Sequence, residues 1–167
     1  MDFQKELIAE YDREVAKTRK MLEAIPSDAD FTWKPHPKSM SLGRLAGHLA
    51  ETAGEWATTT FTTDKLEFPP DHKFGAYIPA STEALLERFD KETAEAKKAF
   101  AAFAPEKWDE NWKMVAGAQT WIDETKYEVW RSWVINHMIH HRAQIGVYLR
   151  VLGKPIPGTY GPSGDEV

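Results

Sequence analysis

The first 25 residues carry apolar side chains at steps of three and four, and charged side chains fill the positions between them. Such spacing places the apolar side chains on one face of an α-helix. It predicts an amphipathic helix from residue 2 to about residue 25, which Pro26 ends. Its apolar face contains Phe3, Leu7, Tyr11, Val15, Thr18, Leu22 and Ile25.

Two later segments show the same helical period. The segment SLGRLAGHLAETAGEWATT predicts a helix from about residue 41 to residue 58, and Ser39 or Ser41 can cap its N-terminus. A third helix is predicted to open at Ser81 and to close at Pro105. Its apolar face contains Leu85, Phe89, Thr93, Ala96, Phe100 and Phe103.

The last predicted helix runs from about Asp123 to Leu152, where Gly153 stops it and Pro155 prevents its resumption. The remaining segments lack a clear helical period. Residues 27–40 and 59–80 predict loops, residues 105–122 a short helix or an irregular crossover, and residues 154–167 an extended tail rich in Pro and Gly.

The pattern as a whole predicts an all-α protein. No segment shows the alternation of apolar and polar residues that is typical of a β-sheet, and no internal repeat is visible. Four helices with long connections after the second and third predict an antiparallel four-helix bundle with an extended C-terminal tail. A length of 167 residues corresponds to one domain, so we expect a single domain over residues 1–167.

Composition narrows the classes of function. The net charge is -5, and no basic arm or face is visible, so we expect no binding to nucleic acid. No apolar run is long enough to span a bilayer, and the charged N-terminus does not resemble a secretory signal. We therefore expect a cytoplasmic protein without a membrane partner. The chain has no Cys, which excludes thiolate metal ligands and Cys nucleophiles.

Histidine carries the candidate chemistry. His137 and His141 are four residues apart, so on a helix both can reach one metal ion. His48 lies on the inward face of the second helix and is the candidate third ligand. This spacing alone is a weak signal, and a pair of His bonded to main chain is the competing interpretation. His140 competes with His141, but we expect it on a more mixed face.

Three His ligands with an open fourth position are the pattern of a catalytic metal site. All-imidazole sites suit Zn, Ni, Cu and Fe(II), and Zn or Ni is the first expectation here, with Fe as a further candidate. Glu51 lies one turn from His48 and is a candidate general base or hydrogen-bond partner; a solvated Glu on a helix flank is the competing interpretation. His36 and His72 lie in polar loops and are expected to be solvated.

The segments GRLAGHLAE, NHMIHHRAQIGVYLR and PIPGTYGPSGDE together resemble the DinB/YfiT-like metalloenzyme family, also called the DinB superfamily, over nearly the whole chain. The resemblance implies a four-helix bundle, a homodimer and a divalent metal ion held by three His. Carried over by position, the ligands are His48, His137 and His141, and His140 matches no ligand position.

The same resemblance suggests an activity class. Some relatives are thiol transferases that use bacillithiol, mycothiol or glutathione, and others are maleylpyruvate isomerases. It therefore implies a metal-dependent enzyme with a small-molecule substrate, such as a thiol-dependent S-transferase with a low-molecular-weight thiol as cosubstrate. A metal-dependent hydrolase and a non-catalytic metal-binding stress-response protein are the alternatives.

Overall fold

A computed structural model describes residues 2–71 and 77–167. The helical elements are α1 (Phe3–Glu23), α2 (Leu42–Glu51), the π-helical segment π1 (Thr52–Trp56), α3 (Ala57–Thr62), α4 (Thr82–Ala102), a 3₁₀ turn (Pro105–Lys107), α5 (Lys126–Val129), the π-helical segment π2 (Trp130–Asn136) and α6 (His137–Val151). The strands are β1 (Lys65–Phe68), β2 (Asn111–Ala116) and β3 (Gln119–Thr125).

The helices predicted from the apolar pattern are present. Helix α1 begins at a cap in which the Asp2 carboxylate accepts from the main-chain N–H of Lys5, and its predicted apolar face is largely buried. Of the two candidate caps for α2, Ser41 is the one used, because its hydroxyl accepts from the N–H of Arg44. Ser81 caps α4 in the same way.

A three-stranded mixed sheet accompanies the helices, in the order β1-β2-β3. Strand β1 is parallel to β2, and β2 is antiparallel to β3. The predicted all-α four-helix bundle is therefore wrong, since the protein is mixed α and β. Strand β1 lies within the predicted loop 59–80, and β2 lies within the predicted crossover 105–122. The last helix, predicted from about Asp123, begins instead at Lys126, because residues 123–125 belong to strand β3.

The shortness of the strands explains the error, because β1 has four residues, β2 six and β3 seven. In β2 the buried residues alternate with exposed ones, but only Trp112 and Met114 are fully inward, and β3 adds Ile122. Gly117, at φ +56°, makes the tight turn between the two strands. Strand β1 lies more than 40 residues before β2 in the chain, so local periodicity does not indicate that the two strands pair.

Two π-helical segments interrupt the helices and contact each other. Segment π1 joins α2 to α3, and π2 joins α5 to α6, without a break in either case. The Tyr11 hydroxyl donates a 2.5 Å hydrogen bond to the main-chain oxygen of Ala53, which lies inside π1. Such segments occur often at functional sites, because the wider turn re-aims the side chains that follow it.

The C-terminal tail returns to the helices after Gly153. The Tyr160 hydroxyl donates to the Glu14 carboxylate at 2.7 Å and accepts from the Arg142 guanidinium at 2.7 Å. Arg142 also pairs directly with Glu14 at 2.7 Å, and the two side chains are only 2% and 6% exposed. This network, which is buried at Glu14 and Arg142, ties α1, α6 and the tail together.

The pH dependence of folding tests this network. Burial by itself would raise the pKa of Glu14, but hydrogen bonds from Lys17, Tyr160 and Arg142 outweigh it and hold that pKa below its usual value. A lowered folded-state pKa stabilises the fold above the unfolded-state pKa, and this stabilisation disappears as the pH falls through the folded-state value.

We expect Glu14→Gln to lower the free energy of unfolding at neutral pH by about 3–5 kcal/mol, because Arg142 is left buried without its carboxylate. We also expect the variant to lose less additional stability than the wild type between pH ~5 and pH ~3. Urea denaturation across this range measures both effects. Identical acid dependence in the two proteins would contradict this role for Glu14.

Candidate metal centre

Three histidine rings meet between α2 and the start of α6. One ring nitrogen from each of His48, His137 and His141 lies within 4.8 Å of the other two. The ring centroids are 4.5 to 5.1 Å apart. His48 and His141 are buried, and His137 is half-buried. The structure thus brings together the three residues that were predicted as ligands.

The local sequence explains why these rings point inward. His48 lies on α2, whose residues from Leu42 to Ala50 are almost all buried. Helix α6 packs against α2, and its first two turns carry His137 and His141 one above the other. Their Nε2 atoms are 2.7 Å apart. The cluster is therefore a product of helix spacing and of one helix-to-helix contact.

Glu51 is a partner of His48. The Nδ1 atom of His48 is 3.3 Å from a carboxylate oxygen of Glu51 and 3.3 Å from Nη2 of Arg44. Arg44 also donates to that carboxylate oxygen at 3.0 Å. Burial alone would raise the pKa of Glu51, but hydrogen bonds from His48 and Arg44 bring it below its usual value. Since Glu51 and Arg44 both contact Nδ1, Nε2 is the nitrogen of His48 that is left for a metal ion.

Gln144 is a partner that the sequence reasoning missed. Its Oε1 atom is 2.7 Å from Nδ1 of His141, and its Nε2 atom is 3.0 Å from Nε2 of His140. The sequence feature that could have indicated this contact is the position of Gln144, one turn after His141 on the same face of the helix. His140 is exposed and lies outside the group of three. The amide therefore links the neighbouring His140 to a candidate ligand.

The other two His residues lie elsewhere. His36 is exposed in the loop before α2, where its Nδ1 accepts from the main-chain N–H of Lys38, in agreement with a solvated residue. His72 lies outside the described residues.

Two indole rings form a wall beside the cluster. Trp56 of π1 lies 5.6 Å from His48 and 5.4 Å from His137 between ring centroids, and Trp133 of π2 lies 5.9 Å from His137. Behind them the sheet encloses an apolar cavity of about 10 Å³, room for roughly one water. Two further aromatic residues of the last helical region lie elsewhere: Trp130 is a core residue and Tyr148 packs on Trp33.

Burial keeps the imidazoles of His137 and His141 neutral at neutral pH. Burial is the largest cause, and together with the neighbouring His141 and His48 it lowers the pKa of His137 to about 4, although a hydrogen bond with the main chain of Trp133 acts in the opposite direction. Burial likewise lowers the pKa of His141 to about 4. At neutral pH these two rings therefore have lone pairs to offer a metal ion, which competes with protons for the same nitrogen atoms.

The donor set fits a divalent transition metal. Two imidazole nitrogens bound to one tetrahedral ion are about 3.3–3.4 Å apart, given metal–nitrogen bonds of about 2.0–2.1 Å. The Nε2 atoms of His137 and His141 are 2.7 Å apart, so a small separation of the two rings would admit an ion. Carboxylate and Gln oxygens on the outer nitrogens of His48 and His141 are the partners that metal-binding His rings usually have.

The fold and the cluster define a class: a largely helical protein with a buried three-histidine group able to hold a metal ion. The sequence profile of the DinB family matches residues 1–167, and the chain belongs to the DinB family. The family resemblance found in the sequence is confirmed.

Individual relatives are distant. The chain is 24% identical over 157 residues to the uncharacterized protein YrdA of Bacillus subtilis (strain 168). The matched region covers 92% of this chain and 85% of the relative. The crystal structure of a DinB-like protein from Bacillus cereus ATCC 10987 superposes with a TM-score of 0.71 at 21% identity, over 92% of this chain and 95% of that one. The superposition shows a shared fold.

In the part of the chain that the structure describes, no helix is both long and apolar enough to cross a membrane.

The lowered pKa values predict a stability change in the metal-free protein. Because His137 and His141 titrate near pH 4 when folded and near pH 6.5 when unfolded, the unfolded chain binds more protons between these values. We expect the metal-free protein to lose stability as the pH falls through this window.

Urea denaturation in the presence of a chelator, at several pH values between about 4.5 and 7.5, measures the effect. A variant with both His137→Gln and His141→Gln should show a flatter dependence, since Gln does not titrate. Parallel curves for the two proteins would refute this account.

Proposed function

We propose that this protein binds one divalent transition-metal ion through Nε2 of His48, His137 and His141, and that it is a metal-dependent enzyme. The buried cluster of three imidazoles carries the proposal. Burying three imidazoles in a core has a desolvation cost, which coordination of a metal ion would offset. A bound cation would use all three lone pairs at once.

The number of protein ligands supports a catalytic role. Among residues 2–71 and 77–167, the metal-binding group contains only the three His. Glu51 is engaged at the outer nitrogen of His48, so in this arrangement it is a hydrogen-bond partner of a ligand. Three protein ligands leave a position for water or substrate, whereas a structural site is closed by a fourth protein ligand. This favours an enzyme over a non-catalytic stress-response protein.

The reaction class we propose is thiol-dependent S-transfer, with hydrolysis as the alternative that the same site would support. A divalent ion on three neutral imidazoles keeps most of its charge and lowers the pKa of a bound water or thiol. The chain has no Cys, so a thiolate must come from a cosubstrate such as a low-molecular-weight thiol. Trp56 and Trp133 exclude water from one side of the site, which strengthens electrostatic interactions there.

Zn or Ni is the proposed ion, and Fe(II) suits the same ligands. A homodimer, which the family resemblance implies, is part of the same proposal. The outer face of α6 supports it, because Val147 and Val151 are 62% and 61% exposed one turn apart.

Metal content tests the proposal directly. We expect protein purified without a His tag to take up about one equivalent of Zn or Ni, measured by elemental analysis after dialysis. The variant with both His137→Ala and His141→Ala should bind less than a tenth of that amount, because one His remains.

The matched control is His140→Ala, which removes an adjacent His outside the cluster and should leave the stoichiometry unchanged. A further variant, His72→Ala, tests whether a residue outside the described chain supplies a fourth ligand. Metal content that is the same in the wild type and the double variant would rule out this site.

Cobalt substitution tests the thiol proposal. We expect the Co²⁺ protein to develop an intense thiolate-to-cobalt absorption band when a low-molecular-weight thiol is added. Because the chain has no Cys, such a band can arise only from the added thiol.

Bacillithiol, mycothiol and glutathione are compared at equal concentration, with the His137→Ala, His141→Ala double variant as the control. If none of the thiols changes the cobalt spectrum, thiol transfer at this site is excluded and the hydrolase alternative is tested next.

A further inference from the structure

The π1 segment decides which side of its helix Trp56 faces. Trp56 comes eight residues after His48 in one continuous run of helix. On a regular α-helix such a residue lies about 80° around the axis from the first, whereas a residue seven positions on lies about 20° away. A π-helical turn takes up one extra residue, so Trp56 shares the face of His48. The two rings accordingly meet, with their centroids 5.6 Å apart.

The wider turn separates the Ala53 carbonyl from its usual partner. In a regular α-helix this carbonyl would accept from the main-chain N–H of Ala57, but that N–H bonds the oxygen of Gly54 instead. A buried carbonyl needs a donor, and Ala53 is fully buried. The hydroxyl of Tyr11, on α1, donates to it at 2.5 Å. Tyr11 is itself fully buried, so this bond does not compete with bulk water.

Threonine hydroxyls bond the carbonyls that follow. Three consecutive threonines donate to the carbonyls four residues earlier, Thr58 to Gly54, Thr59 to Glu55 and Thr60 to Trp56. Side-chain bonds of this kind bend a helix and disturb its regular main-chain bonds. Residue 57, which is the corresponding position for Ala53, is an alanine and has no hydroxyl. Tyr11 therefore completes from another helix the series that the threonines form locally.

We propose that Tyr11 is a positioning residue of the metal centre, because its hydroxyl holds π1 in the form that keeps Trp56 against the imidazoles. If this bond is lost, a regular α-helical turn is the alternative that gives the Ala53 carbonyl a donor. That turn would rotate Trp56 by about 100° away from His48. The position of Trp56 does not depend on a metal ion, whereas its effect on a bound thiol rests on the proposed function.

Fluorine NMR of metal-free protein labelled with 5-fluorotryptophan tests the position of Trp56. Trp56→Phe identifies its signal among the seven indoles. In Tyr11→Phe we expect this signal to move, because the rings of His48 and His137 no longer lie beside the indole. Replacing Tyr11 by p-aminophenylalanine keeps a weaker donor and should move the signal part of the way. This variant also decides the question if Tyr11→Phe does not fold.

The matched control is Tyr148→Phe. The hydroxyl of this buried tyrosine also donates to a main-chain carbonyl, that of Met40 at 3.1 Å, but the bond lies outside both π segments. Each Phe variant should raise the equilibrium constant of unfolding by about 5–150-fold, the usual effect of leaving a buried carbonyl without its donor. Only Tyr11→Phe should move the Trp56 signal. An unmoved signal in the Tyr11 variants, or an equal movement in Tyr148→Phe, would overturn the inference.

The consequence for the metal centre is measured on the Co²⁺ protein, with whichever of bacillithiol, mycothiol and glutathione gives a thiolate band. Tyr11→Phe should still bind about one equivalent of Co²⁺, because the three His remain. The Kd of the thiol should rise by about 2–10-fold, as expected for the loss of one aromatic contact. Trp56→Ala should have the same effect, and the double variant Tyr11→Phe, Trp56→Ala no larger one, because Tyr11 acts through Trp56.

The outcomes separate the two proposals. A further rise in Kd in the double variant, or no rise in either single variant, would refute the effect of Tyr11 on the thiol. If none of the thiols gives a band, thiol transfer as proposed above fails, while the fluorine spectra still decide whether Tyr11 positions Trp56.

Discussion

The packing of α2 against α6 is the contact on which the rest of the site depends. It puts three imidazoles into an interior where a charged ring is unfavourable, so burial lowers the pKa of His137 and His141 to about 4. Polar groups on the outer side, Glu51 and Gln144, contact Nδ1 of His48 and Nδ1 of His141 and orient these two rings.

The elements around this contact hold it in place. The π1 and π2 segments meet beside the cluster and supply Trp56 and Trp133, while the sheet packs behind these indoles through Trp112, Met114 and Ile122. On a neighbouring face of α6, the Arg142 and Glu14 network fixes the helix against α1. The sheet and the tail thus act on the site indirectly, by limiting how far α6 and the indoles can move.

Much of the structure around the site was predictable from the sequence, because it depends on residues that are close together in the chain. Helical period predicted α1 and α4 and their faces, and the four-residue spacing of His137 and His141 predicted two rings on one face. The role of Glu51 was one of two interpretations, and its contact with Arg44 and His48 favours the hydrogen-bond partner. Gln144 was visible on the same face, but nothing in the sequence indicates which nitrogen its amide contacts.

By itself the sequence determined the helical stripes, the absence of thiolate chemistry and the family, since each depends on residue type and short-range spacing. Only the tertiary structure decided the sheet, because β1 is four residues long and pairs with a strand that lies more than 40 residues away. The same holds for the distance of 2.7 Å between the Nε2 atoms of His137 and His141 and for the partner of each outer nitrogen. These depend on ring rotation and helix packing, which periodicity does not encode.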